Sequence, residues 1–279
     1  MSMRVGFVGL GDQGLPMAQR VVAAGLPTAL WARRPASVEP FLGTAATIAG
    51  SPRELGAVSD IVATCVFDGA GTREILFGPA GILAGMTRGG VVVVHSTIAP
   101  EEIIEIAAVA RESGITVLDA PVSGGHAMAE QGRLVALVGG DRDACERCLP
   151  VLSSYADQVI HVGRVGAGQQ AKLINNALMA AQLGLAADAF ELGGELGIDP
   201  DGLARALRQG SGRSYSLDVM VRSGSLDVLA RGPAGPTLAK DVRLLARTTA
   251  GRADFRRGLL LVAARAAIDM IESRVPGRA

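Results

Sequence analysis

The sequence predicts an α/β fold: a doubly wound parallel sheet over residues 1–165, then an all-α C-terminal domain, 166–279, opened by a long interdomain helix. Two observations predict it. Up to residue 165, short apolar runs alternate with helical stretches, the pattern of a parallel sheet with helices on both faces. Beyond Gly168 no strand pattern returns. A chain of 279 residues is long enough for two domains, each with a core of its own.

The elements follow in order. Arg4 to Val8 reads as a strand and Leu15 to Ala24 as a helix. Further strands are expected at Thr28–Trp31, Ile61–Cys65, Val91–Val94 and Ile115–Asp119, the third a β-branched run suited to burial. Glu101 to Ser113 has helical periodicity, begun by Pro100 and ended by Gly114. Val135–Val138 and Val159–Val162 read as late strands. From Gln169 to about Leu196 only isolated glycines interrupt the helical pattern, and such a helix would run about 40 Å. That exceeds what a small helical domain needs. It points to a spine packed on the first domain and on a second subunit, in a homodimer or higher homo-oligomer. Gly197, Pro200, Gly210–Gly212 and Gly232–Pro236 punctuate the remainder.

Composition excludes several classes. Hydrophobic residues make up 49% and charged residues 19%, with zero formal net charge, so the chain is globular rather than disordered. Neutrality argues against a nucleic-acid partner. Arg252, Arg256, Arg257 and Arg265 gather near the C-terminus, but acids among them make a solvated helix face. No apolar run reaches the roughly 18 residues of a membrane span, and the early strand leaves no room for a targeting peptide. The expected location is cytoplasmic. Cys65, Cys145 and Cys148 include one pair spaced by two residues, yet no second pair completes a four-ligand site, and His95, His126 and His161 are scattered. No metal is expected.

Gly9-Leu10-Gly11-Asp12-Gln13-Gly14 lies directly between a strand and a helix. There Gly9 allows a tight turn, Gly11 lets the backbone approach a pyrophosphate, and Gly14 lets helix and strand pack closely. Unsatisfied N–H groups at the helix start then meet the phosphates. This is the Rossmann dinucleotide fingerprint. At the end of the second strand, where an acid would receive the adenosine 2′-hydroxyl of NAD, the residues are Trp31-Ala32-Arg33-Arg34. Guanidinium groups pair with phosphate in bidentate fashion. NADPH is therefore expected over NADH, with Arg33 the main contact and Arg34 a second contact or a stacking partner for adenine.

Two further segments carry polar chemistry. Asp119-Ala-Pro-Val-Ser123-Gly124-Gly125 follows a strand, and its glycines free N–H groups for an anion-binding concavity to which Ser123 adds a hydroxyl. A substrate carboxylate is a natural guest. Gly166 to Asn176 opens the long helix and sets Lys172 and Asn176 four apart on one face. A lysine on an apolar helix is usually a snorkelling side chain. Two amides beside this one, Asn175 and Asn176, make the face unusually polar.

Together with Pro16-Met17-Ala18, Ser96-Thr97-Ile98 and Lys240-Asp241, these segments resemble the β-hydroxyacid dehydrogenase family over nearly the whole chain. That family includes 3-hydroxyisobutyrate dehydrogenases, tartronate-semialdehyde reductases and glyoxylate/succinic-semialdehyde reductases. The resemblance implies an NADP-dependent oxidoreductase with a C-terminal domain like that of 6-phosphogluconate dehydrogenase, acting on a small carboxylate-bearing substrate. It implies Lys172 as the catalytic acid/base, Ser123, Gly124 and Gly125 as the carboxylate cradle, and Asn176 as the group orienting substrate and lysine. Thr97 would lie near nicotinamide and substrate, and Lys240 and Asp241 would close the cofactor site from the helical domain. Chemistry agrees on the lysine, because a site that excludes water depresses an ammonium pKa toward values suited to proton transfer.

The chain departs from the family at Gln13, Arg20, His95 and His126, and Gly232-Pro233 and Gly235-Pro236 replace a phenylalanine-containing stretch. With 3% aromatics overall, these changes point to a reshaped, roomier pocket. An imine reductase of the same plan is the alternative activity, but such enzymes typically lack the lysine. A non-catalytic cofactor-binding relative would also have lost it. A phosphogluconate-type dehydrogenase needs a larger helical domain.

Overall fold

The computed structural model describes residues 3–232, 234–250 and 258–275. Arg252, Arg256, Arg257 and Pro233 lie outside the described residues. The chain divides into two compact units, residues 1–172 and 173–279.

The first unit is built on one sheet. Its strands are β1 (Val5–Val8), β2 (Thr28–Trp31), β3 (Thr47–Ile48), β4 (Ile61–Thr64), β5 (Val91–Val94), β6 (Thr116–Asp119), β7 (Val122–Ser123), β8 (Leu134–Gly139) and β9 (Ala156–Gly163). They lie in the order β3-β2-β1-β4-β5-β6-β8-β7, with β9 paired to β8. The run β3-β2-β1-β4-β5-β6 is parallel and in step, Val5 facing Thr28 and Ile61, Ile61 facing Val91, and Val91 facing Thr116. Strand order reverses beside β1, the place where doubly wound sheets open a ligand crevice at their carboxyl ends.

Both faces are covered, which is why the central strands read as continuous apolar runs. Phe7, Ile61, Val91 and Val93 face one core with Met17 and Val21 of α1 (Gly14–Ala23). Val8, Val62, Val92 and Val94 face the other. There they meet Leu55 of α2 (Pro52–Ala57), Leu76 of α3 (Gly69–Phe77), Ile82 of α4 (Ile82–Gly85) and Ile103 and Ile106 of α5 (Pro100–Glu112). Each fully buried valine, leucine or isoleucine contributes about 1.5–3 kcal/mol. Beyond α6 (Gly125–Glu130), α7 (Arg142–Tyr155) returns to the first core through Cys148, Val151, Leu152 and Tyr155. Both cysteines of the Cys145/Cys148 pair are buried free thiols there, and burial pushes Cys148 up to about 12. Among the described residues no group of three or more potential ligands could hold a metal.

The sheet departs from strict parallelism at one edge. β8 runs antiparallel to β6 and β7. A parallel return needs a crossover of a dozen or more residues. The connection from Ser123 to Leu134 holds only the short α6 and a turn, so the chain comes back the other way. β3 and β7 are two residues each, too short to show a period of two in the sequence.

Helix α8 (Ala167–Glu195) carries the chain from one unit to the other. The second unit continues with α9 (Pro200–Gln209), α10 (Tyr215–Ser223), α11 (Leu226–Arg231), α12 (Ala234–Thr248) and α13 (Leu259–Glu272). Side chains of Asp199, Ser214 and Ser225 cap the starts of α9, α10 and α11. Gly184 of α8 meets Ala267 of α13 so closely that an added Cβ would lie 2.7 Å from the alanine methyl. The Gly232–Pro236 stretch is only partly a break: α12 already runs from Ala234, and proline is tolerated in a first turn because its missing N–H would have had no intrahelical partner. No helix among the described residues is long and apolar enough to cross a membrane.

Candidate active site

The glycine loop between β1 and α1 is fixed by close approach. Gly9 has φ +93°, and a Cβ there would stand 2.2 Å from the Cys65 carbonyl oxygen. A Cβ on Gly14 would stand 1.9 Å from the Gly9 carbonyl oxygen. Gly11 is different, because among the described residues no atom beyond its own and its chain neighbours' lies within 4 Å of where its Cβ would be. The fold itself makes no demand for glycine at 11, so the open space fits a group brought from outside. Gly9, Leu10 and Gly11 line a cavity of about 440 Å³ with Trp31, Ala32, Arg33, Arg34 and Phe67. That is room for the adenosine end of a dinucleotide, with two guanidinium groups beside it. Arg33 Nη2 meets Glu74 Oε2 at 2.9 Å, an exposed pair. In the same loop the Asp12 backbone carbonyl lies 2.7 Å from His126 Nδ1, and the Gln13 amide contacts the Met17 sulfur at 4.0 Å. Hydrogen bonding to Asp12 raises the His126 pKa, helped by the charges of Asp12 and Glu130.

At the same end of the sheet, three segments are tied together by buried side chains. Asp119, at the tip of β6, accepts from Gly166 N at 2.7 Å and from Gln169 N at 2.8 Å, capping the start of α8. Burial raises its pKa, and these backbone N–H groups oppose the rise. Gln169 in turn grips the loop after β5, donating to the Ser96 carbonyl at 2.8 Å and accepting from Ile98 N at 3.1 Å. Thr97 sits between those two contacts. Gly168 is obligatory here, since a Cβ would lie 2.3 Å from the Leu137 carbonyl oxygen. Lys172 follows Gln169 by three residues, so it projects from the same side of α8 one turn on. Ser123 ends β7, and Gly124 (φ +133°) and Gly125 (φ +74°) hold left-handed conformations that only glycine adopts readily. The structure therefore brings Thr97, the Ser123–Gly125 turn and the first turns of α8 to the carboxyl edge of one sheet.

In the second unit, Asn176 Nδ2 donates to Asp241 Oδ2 at 2.6 Å, and both residues are buried. Asn175 donates to Asn176 Oδ1 at 3.0 Å. Lys240 Nζ lies 3.5 Å from Asp241 Oδ1. The lysine also borders a second cavity of about 590 Å³, with Arg243, Arg247 and Arg265 around it.

Several side chains at these sites carry no role in the sequence reading. Asp119 and Gln169 stand inside the motifs, but their partners are 47 to 73 residues away. Phe67 is 81% exposed at the cavity, where β4 ends. Its exposure was invisible in sequence, though a lone phenylalanine after a strand of a doubly wound sheet was a signal.

Two family models cover the chain. Residues 4–163 match the NAD binding domain of 6-phosphogluconate dehydrogenase, and residues 166–273 match the NAD-binding region of NADP-dependent 3-hydroxyisobutyrate dehydrogenase. The chain is 34% identical to 2-(hydroxymethyl)glutarate dehydrogenase of Eubacterium barkeri over 78% of its own length and 72% of the relative's. It is 35% identical to the NAD-dependent L-serine dehydrogenase of Pseudomonas aeruginosa over 77% and 72%. Its fold superposes on 3-hydroxyisobutyrate dehydrogenase of Mycobacterium tuberculosis, solved with L-serine, with a TM-score of 0.82 at 28% identity, covering 97% of this chain and 94% of the other. Matched by both family models and by these relatives, this chain belongs to the β-hydroxyacid dehydrogenase family of NAD(P)-binding oxidoreductases that act on small hydroxyacids.

Proposed function

We propose that the protein moves a hydride between NADP(H) and a small β-hydroxyacid or the matching aldehyde-acid, with Lys172 as general acid/base. The observation that carries this reading is the buried tie of Asp119 and Gln169, which docks the helix bearing Lys172 against the Thr97 loop at the carboxyl edge of the sheet. The nicotinamide, when bound, supplies the hydride for reduction or accepts it in oxidation. The loop Gly9, Leu10, Gly11, Asp12, Gln13 and Gly14 would hold its pyrophosphate, and Arg33 and Arg34 the 2′-phosphate. Ser123 and the N–H groups of Gly124 and Gly125 would hold the substrate carboxylate. Thr97 would border substrate and nicotinamide, and Lys172 would give its proton to the carbonyl oxygen or take it from the hydroxyl. Asn176, itself steered by Asp241, would orient the lysine and substrate, while Lys240 and Asp241 would close over the cofactor.

The test is NADPH consumption with glyoxylate, succinic semialdehyde, tartronate semialdehyde and methylmalonate semialdehyde, with 3-hydroxyisobutyrate and L-serine run in the oxidative direction. At least one should turn over. Lys172→Ala should keep NADPH affinity and lose about 10²- to 10⁴-fold in kcat, the usual range for a positioned acid or base. A near-wild-type rate in that variant overturns the assignment.

A further inference from the structure

We propose that His95 and Tyr155 are positioning residues for the hydroxyacid, holding the Ala120 carbonyl and thereby setting the Ser123–Gly125 cradle; this rests on the reading of that turn as the carboxylate site. The need for them begins with the backbone. Ala120 N still donates to the Val94 carbonyl at 2.8 Å, but the chain then bends at Pro121 out of the parallel run. The Ala120 carbonyl is left without a strand partner in a buried place, where such a group must find a donor. His95, just past the end of β5, provides it: Nδ1 lies 2.6 Å from that oxygen. A carbonyl can only accept, so the ring hydrogen sits on Nδ1 and Nε2 is a bare acceptor. Tyr155, at the end of α7, meets that need by donating its hydroxyl to Nε2 at 3.0 Å, with the two rings edge-on at 5.5 Å.

The result is a one-way chain of donors, Tyr155 to His95 to Ala120, in a fully buried setting. Burial also lowers the His95 pKa to about 4, so the ring stays neutral and the direction of donation fixed in neutral solution. The held carbonyl lies between two functional anchors. Asp119, one residue earlier, caps the helix of Lys172. Ser123 comes three residues later, with Gly124 and Gly125 after it. Pinning Ala120 therefore fixes the distance between the lysine's helix and the cradle. A charge-assisted hydrogen bond to the carboxylate that is lost when the cradle shifts costs about tenfold or more in binding.

The test compares His95→Leu, which removes both ring nitrogens, with His95→Asn, whose amide can supply a donor near the Nδ1 position, and with Tyr155→Phe. In His95→Leu the KM for the hydroxyacid found in the substrate screen should rise about tenfold or more. The NADPH Kd, read by fluorescence titration, should stay within about twofold of wild type. His95→Asn should recover most of the loss, and Tyr155→Phe should show a smaller rise. If His95→Leu fails to fold, Tyr155→Phe and His95→Asn carry the comparison. Unchanged substrate KM in the soluble variants, or substrate KM and NADPH Kd rising together, overturns the proposal. A wild-type enzyme that turns over no carboxylate substrate overturns the underlying reading instead.

Discussion

Arg33 is the residue proposed to hold the 2′-phosphate, and the structure gives it a competitor. Its guanidinium pairs with Glu74 while both side chains are about two-thirds exposed. An exposed pair of this kind is worth no more than about 1 kcal/mol. A 2′-phosphate brings close to two charges and a bidentate acceptor, so it should displace the carboxylate. Glu74 would nevertheless remain nearby as a like charge and weaken the proposed preference. Arg33→Ala should therefore lower kcat/KM with NADPH by about tenfold or more while changing NADH little. Glu74→Gln should raise the NADPH-to-NADH ratio by a few-fold, within the roughly 1 kcal/mol such an exposed charge carries. Steady-state kinetics with both cofactors measures this, and equal wild-type efficiency with NADH and NADPH would refute the preference. The place of Arg33 just past β2 was legible because local chain order sets it. Glu74 was not, because it stands 41 residues later, on a helix whose rotation no local pattern reveals.

At the scale of elements, the central strands β1, β2, β4, β5 and β6 were readable to within a residue at each end, because each is an apolar run buried on both sides. The antiparallel edge was not, since it depends on the length of a connection and not on any run of residues. The glycine loop offers a sharper lesson, as its three glycines read alike in sequence but differ in space. Gly14 is held by the fold, where a methyl would strike the Gly9 carbonyl, so Gly14→Ala should destabilise the protein by at least about 2 kcal/mol through backbone clash. Gly11 faces open space. Gly11→Ala should leave thermal stability unchanged or slightly raised by unfolded-state entropy, yet weaken NADPH binding by about tenfold as the methyl meets the pyrophosphate. Thermal melts beside NADPH titrations separate the two. If Gly11→Ala bound NADPH as well as wild type, the loop would not be the phosphate site.

For the whole molecule, the question is what covers α8. Ile174, Leu178, Leu185, Leu192 and Leu196 are each 48–68% exposed along and just past this helix. At 100° per residue they fall within about 40° of one another, a single stripe about 33 Å long. The opposite side of the helix buries Leu173, Ala177, Ala180 and Leu183. The periodicity revealed a helix apolar nearly all round. Among the described residues, one of its apolar faces is left exposed. A monomer seldom keeps so long a stripe in water, and zero formal charge offers no repulsion against self-association. The stripe also matches itself when two copies run antiparallel, as an isologous twofold contact requires. Light scattering at micromolar concentration should therefore return a dimer or higher even-numbered oligomer. Leu185→Glu combined with Leu192→Glu should convert it to monomer with the helical circular dichroism retained, because two carboxylates from each copy would then be buried in the contact without partners. A monomeric wild type, or a double variant of unchanged mass, would assign this stripe to some other role and leave α8 without the second subunit that its length implies.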